Sequence, residues 1–83
     1  MSDLAMPALD HVELPTPGCW VAFRSGADVY VICGDRDERW TVLSVRGTTI
    51  GAFRCLRRKY RAVGRPALGR ADTDWREVVR ALC

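Results

Sequence analysis

The residues in this chain best suited to specific chemistry are arginines that recur within one short segment. They are Arg54, Arg57, Arg58, Arg61 and Arg65, and no acidic residue lies among them. The planar guanidinium group donates paired hydrogen bonds to phosphate and carboxylate oxygens, which makes arginine the usual residue for binding such groups. The cluster is therefore a candidate site for nucleic-acid phosphates or for an acidic protein surface.

The net charge of +3 hides a strong segregation of charge along the chain. Eight of the thirteen basic residues lie between positions 46 and 70, a stretch without Asp or Glu, whereas seven of the ten acidic residues lie within the first 45 positions. A basic patch of this kind is typical of nucleic-acid-binding proteins. Two other interpretations stay open. The patch could bind an acidic protein, or it could be a solvated surface that pairs with the acidic half of the same molecule.

Residues for catalysis are scarce. His11 is the one histidine, and it lies in a proline-rich segment with nothing to hold it against a nucleophile. Asp35, Asp37 and Glu38 are interleaved with two arginines in a turn, which indicates solvated turn charges. The chain also lacks the glycine and lysine pattern of a phosphate-binding loop. We predict that the protein is not an enzyme and needs no cofactor.

The four cysteines predict neither a metal site nor disulfides. Cys19, Cys33, Cys55 and Cys83 are far apart, whereas structural zinc sites usually pair cysteines two to four residues apart. The sequence shows no signal peptide and no apolar run long enough to span a bilayer. We therefore expect a cytoplasmic protein with free thiols, in which the first three cysteines fill small apolar positions and Cys83 is exposed.

The elements that would position these residues begin with a sheet. Four runs rich in β-branched and aromatic residues, separated by turn signals, predict strands at 19–24, 29–34, 40–46 and 48–53. The links between them are too short for parallel crossovers, so the strands should form an antiparallel meander. Residues 1–18 carry three of the four prolines and no regular period. They predict an extended or mobile arm before a single domain at 19–83.

After the fourth predicted strand, the spacing between apolar residues changes from two, the period of a strand, to three and four, the spacing of a helix. Phe53, Leu56, Tyr60 and Val63 would lie on one face of a helix that ends before Gly64. Arg54, Arg58, Arg61 and Arg65 would form a cationic stripe on the other side of this helix. Like charges one turn apart repel each other, and a bound anion would relieve that repulsion.

A second helix is predicted at the end of the chain. Trp75, Val78, Val79 and Leu82 recur at helical spacing, and Asp72-Thr73-Asp74 offers N-cap oxygens and acidic charge for the first turn. This apolar stripe should dock on the sheet or on a partner. Trp75 and Trp40 are the side chains that we most expect in the core.

The run from Trp40 to Val63 resembles small DNA-binding domains of the integrase-arm type. The shared pattern is a strand, a glycine turn, a strand that ends Ile50-Gly51-Ala52-Phe53, and then a basic helix. The resemblance implies a sheet that enters the major groove with a helix behind it. This chain departs from that pattern because its exposed sheet positions are mainly apolar or Thr and its basic residues concentrate on the predicted helix. No site residue is transferred from the resemblance.

These observations predict an α+β domain: a four-stranded antiparallel β-meander followed by two α-helices, with an extended N-terminal arm. The composition, 48% hydrophobic and 28% charged, is that of a globular chain. We expect a small bacterial binding or regulatory protein that engages nucleic-acid phosphates through the basic helix, without a membrane. The alternative is a phage or mobile-element effector that blocks a host protein through the arginines or the last helix. A homodimer is possible in either case, because 83 residues bury a small core.

Overall fold

An antiparallel sheet with the topology of a simple meander is the largest element of the described structure. The computed structural model describes residues 6–36, 38–63 and 73–83. Within these residues the sheet has five strands in the order of the sequence. They are Trp20–Ser25 (β1), Asp28–Gly34 (β2), Arg39–Ser44 (β3), Thr49–Leu56 (β4) and Lys59–Ala62 (β5). The predicted meander is confirmed, with a fifth strand that the sequence analysis did not predict.

The fifth strand occupies the place of the predicted basic helix, so the prediction of two helices is wrong. Leu56 pairs with Lys59 across a two-residue turn, and Phe53 pairs with Ala62. Both turn residues, Arg57 and Arg58, have positive φ angles, 56° and 67°. Such a turn matches the twist of two antiparallel strands and closes a hairpin. The resemblance to integrase-arm domains required a helix here and loses its basis.

The predicted last helix is confirmed and spans Trp75–Leu82 (α1). Asp74 caps it, because its Oδ1 atom accepts a hydrogen bond of 3.0 Å from the backbone N–H of Arg76. Trp75, Val78 and Val79 are buried against the sheet. In the described part of the chain, no helix is long and apolar enough to cross a membrane.

The core lies between one face of the sheet and two covering elements, α1 and an N-terminal segment with a turn of 3₁₀ helix, Leu9–His11. Strands β1 to β4 contribute alternate side chains to it, as a sheet covered on one side requires. The fully buried strand residues are Phe23, Ile32, Val42 and Phe53. The other buried apolar side chains are Leu9, Val12, Ala62, Trp75, Val78 and Val79.

Residues 6–18 run beside β1 and across the end of β2. The backbone N–H of Arg24 donates to the carbonyl of Pro7 over 2.8 Å, and Trp40 Nε1 donates to the carbonyl of Pro15 over 2.9 Å. Gly34 allows the closest approach. A Cβ atom at Gly34 would collide with the carbonyl oxygen of Thr16 and lie 2.8 Å from its carbonyl carbon. This crossing therefore requires glycine.

Two arginines of α1 hold the same segment from the other side. The Arg76 guanidinium donates to the carbonyls of Leu9 and Val12 over 3.2 and 2.6 Å, and it lies 4.6 Å from the centre of the Trp75 ring. Arg80 forms an exposed ion pair with Asp10. The Leu9 carbonyl also accepts a hydrogen bond of 3.4 Å from the backbone N–H of Val12, so Arg76 adds a second donor there and gives the Val12 carbonyl a partner near the core.

Replacement of Trp75 by Ala should lower the free energy of unfolding by roughly 3–5 kcal/mol, because a buried indole is lost and a cavity remains. So small a domain has little stability to spare, so the variant should be largely unfolded near its working temperature. Urea denaturation followed by circular dichroism measures the change. A variant that melts like the parent would place the Trp75 ring outside the core.

Replacement of Arg76 by Met should cost about 1.5–3 kcal/mol, because Met keeps the aliphatic stem but removes the donors to two carbonyls. Arg80→Met is the matched control. Its partners are exposed carboxylates, so it should cost at most about 1 kcal/mol. Equal losses in the two variants, measured by urea denaturation, would contradict the proposed role of Arg76 in holding the N-terminal segment.

Candidate nucleic-acid interface

The sheet has two faces that differ in what covers them. We call the side that carries Phe53 the core face and the opposite side the open face. Within the described residues, both α1 and the N-terminal segment pack on the core face. Side chains alternate between the faces along each strand, so the neighbours of each core residue point to the open face.

Three arginines form a line across the open face. Arg39 on β3 lies directly opposite Arg54 on β4, and Arg54 lies directly opposite Arg61 on β5. All three are exposed. We call them the basic row. Residues in such opposed positions have Cβ atoms about 5 Å apart, and like charges there destabilise the sheet.

The turn between β4 and β5 adds three further cations beside this row. Arg57 and Arg58 form the turn, and Lys59 follows it as the first residue of β5. A residue other than glycine in the left-handed region costs about 1–2 kcal/mol, and turns of this kind usually carry Asn-Gly. We call β4, β5 and this turn the basic hairpin. The two arginines at its tip cost more conformational free energy than Asn-Gly would at the same positions.

A cleft of about 390 Å³ lies along this hairpin. Arg54, Leu56, Arg61 and Val63 all alternate onto the open face, so the cleft opens on that side, next to the edge strand β5. Its full lining is Arg54, Leu56, Arg57, Lys59, Arg61, Ala62 and Val63. Four cations and an apolar floor could hold a phosphate together with the sugar or base attached to it.

The arginines of the interface differ from those of α1 in their partners. Arg76 and Arg80 form ion pairs with carboxylates of the helix and the N-terminal segment. In the part of the chain that the structure describes, no carboxylate forms a salt bridge with an arginine of the basic row or of the hairpin turn. Pairing with the acidic first half of the molecule therefore does not account for these charges within the described residues.

The structure brings together four of the five predicted site residues, although on a hairpin rather than on a helix. Arg54 and Arg61 are cross-strand neighbours, and Arg57 and Arg58 form the turn between their strands. Arg65 lies outside the described residues. The sequence analysis missed Arg39 in the site, although its place beside Trp40 in an alternating strand put it on the face opposite the core.

Other polar side chains near the hairpin have structural surroundings. Tyr60 packs on the core face against Trp40 and Phe53, and burial, with a smaller effect of Cys55, raises the pKa of its phenol. Cys33 and Cys55 are half-buried on strands, while Cys19 and Cys83 are exposed. No group of three or more His, Cys, Asp or Glu side chains in the described ranges is arranged to hold a metal ion.

The strain in the hairpin turn yields a stability test. The double variant Arg57→Asn/Arg58→Gly should raise the free energy of unfolding by about 1–2 kcal/mol, because Asn and Gly adopt positive φ at lower cost. The matched control is Arg57→Gln/Arg58→Gln, which removes the same two charges but keeps the strained backbone. It should gain less than half as much in urea denaturation. Equal gains would show that charge repulsion, not backbone strain, sets the cost of the turn.

Comparisons of the chain with protein-family models, with curated protein sequences and with solved structures each gave no match.

Proposed function

We propose that this protein binds nucleic acid through its phosphates, using the basic row and the basic hairpin, and acts as a non-enzymatic binding or regulatory protein. The observation that carries the proposal is the line of three opposed arginines, Arg39, Arg54 and Arg61, without a carboxylate partner in the described residues. Regularly spaced phosphates are the anions that such a line would match.

The energetic cost of the arrangement supports a role in binding. Opposed like charges and two arginines with positive φ both destabilise the free protein. The fold does not need arginine at any of these positions, because their side chains are exposed and fill no part of the core. A polyanion that neutralises the row would recover the repulsion energy on binding.

An acidic protein partner is the second candidate, and one observation favours it. Leu56 lies among the cations of the cleft with 59% of its surface exposed. A peptide that alternates acidic and apolar side chains would use both features. The apolar stripe of α1 is not available in the same way, because Trp75, Val78 and Val79 are buried in the protein's own core.

The salt dependence of binding tests the proposed function. Each phosphate contact contributes a slope of about −0.9 in log K against log salt for a duplex and about −0.7 for a single strand. Arg54→Gln/Arg61→Gln should therefore make the slope shallower by roughly 1.4–1.8, measured by fluorescence anisotropy with labelled duplex and single-stranded probes of random sequence.

The matched control is Arg24→Gln/Arg46→Gln, which removes the same charge from the opposite end of the sheet. It should change the slope by less than half as much. If the two double variants weaken binding equally, only net charge matters and the basic row is not the site. No binding to either probe at low salt would reject the proposal in favour of a protein partner.

A further inference from the structure

The open face of the sheet combines an apolar centre with the basic row at one end. Trp20 pairs with Cys33, Cys33 with Thr41, and Thr41 with Ala52, so these four residues form one row across the face. A second row contains Ala22, Val31 and Leu43. None of these apolar side chains belongs to the core cluster. The centre of the face is thus mainly apolar.

Trp20 is a highly exposed aromatic side chain of this face, with 68% of its surface accessible. It lies on the edge strand β1, three strands and two residues away from Arg54. That separation is roughly 15 Å. Neither α1 nor the N-terminal segment covers it, because both pack on the other face. Among the described residues, the indole ring therefore has no packing role in the core that would explain its position.

The charges on the open face select an anionic occupant. Asp35 is the one carboxylate that the strand alternation brings to this face among the described residues, and it accepts a hydrogen bond of 2.7 Å from Thr41 Oγ1. The cations at the same end are Arg39, Arg54 and Arg61. A second copy of this chain would carry the same excess of cations on its open face and offer them no complementary charge, so a polyanion matches the surface better than a second copy does.

The apolar centre distinguishes single strands from duplexes. In a duplex the bases are stacked on each other, and a protein reads them through hydrogen bonds to their edges in a groove. The centre of the open face offers few donors or acceptors for such contacts, since the Thr41 hydroxyl already donates to Asp35. Unpaired bases instead stack on exposed aromatic rings and on arginine, while cations follow the backbone.

We propose that the open face binds single-stranded nucleic acid, with a base stacked on Trp20 and the phosphates that follow it on the basic row. This inference rests on the proposed function and narrows it to one class of nucleic acid. The shared chemistry is an unpaired base and its phosphate backbone. Single-stranded DNA and RNA are therefore separate arms of the test.

The test compares Trp20→Ala with the parent protein on four probes: oligo(dT), oligo(rU), a duplex of the same length, and inorganic polyphosphate, which has no bases. Trp20→Ala should weaken the binding of at least one oligonucleotide by roughly 5- to 100-fold and leave polyphosphate unaffected, because one stacked base is lost. Trp20→Phe should retain most of the affinity.

The matched control is Val45→Ala, a change at an exposed apolar residue near the far end of the sheet, which should have no effect on binding. Loss with oligo(rU) alone would assign the face to RNA.

The outcomes separate this inference from the proposed function. If Trp20→Ala binds both oligonucleotides like the parent while Arg54→Gln/Arg61→Gln binds more weakly, phosphate binding stands and the stacking site is wrong. A duplex bound at least as tightly as the single strands at the same salt concentration also overturns the inference. If no probe binds, both proposals fall. The remaining candidate for the open face is a second copy of this chain, and sedimentation velocity measures whether the protein is a dimer. A dimer that dissociates on Trp20→Ala would show that the open face is a self-association surface and would overturn the inference.

Discussion

The packing of Phe53 is the interaction on which the rest of the structure depends. Its ring is fully buried, with ring centres 5.3 Å from Trp40 on the neighbouring strand and 6.4 Å from Trp75 on α1, nearly parallel to both. These contacts join the sheet to the helix, and aromatic pairs at such distances add to the energy of burial. Because neighbouring side chains alternate, the inward position of Phe53 also fixes Arg54 on the open face. The core and the basic row are therefore set by the same register.

Much of the fold could be predicted from local patterns, and the failure at β5 has a definite cause. The strands β1–β4 and the helix α1 carry the periods of two and three to four that their types require. Phe53, Leu56, Tyr60 and Val63 also have helical spacing, but a two-residue turn between two strands disguises the strand period. The turn carries Arg57 and Arg58, whereas a sequence with Asn-Gly would have indicated a hairpin. The sequence thus carried a helical spacing and no turn-forming residue pair to contradict it, because arginine does not favour positive φ angles.

The composition of the site depended on register, which a single sequence specifies poorly. Arg54, Arg57, Arg58 and Arg61 are close in the chain, so a charge cluster was visible whether the segment formed a helix or a hairpin. Arg39 joins them only because β3 pairs with β4 so that it lies opposite Arg54. A shift of one residue would move Arg39 to the core face. Similarly, Trp20 is exposed because α1 and the N-terminal segment both cover the core face, and local sequence patterns do not predict which face a covering element packs on.

The costs that this small domain bears are concentrated at one end of its sheet. Opposed arginines and positive φ angles occur together in β3, β4 and the hairpin turn, whereas Arg76 and Arg80 have carboxylate and carbonyl partners elsewhere. A protein with a core of this size has a stability of only a few kcal/mol, so two or three such costs are a substantial fraction of it. Arg24 and Arg46 at the opposite end of the sheet also form no salt bridge with a described carboxylate, but neither is paired with another arginine in the strand register. The proposed anionic partner would recover the cost of the opposed arginines when it binds.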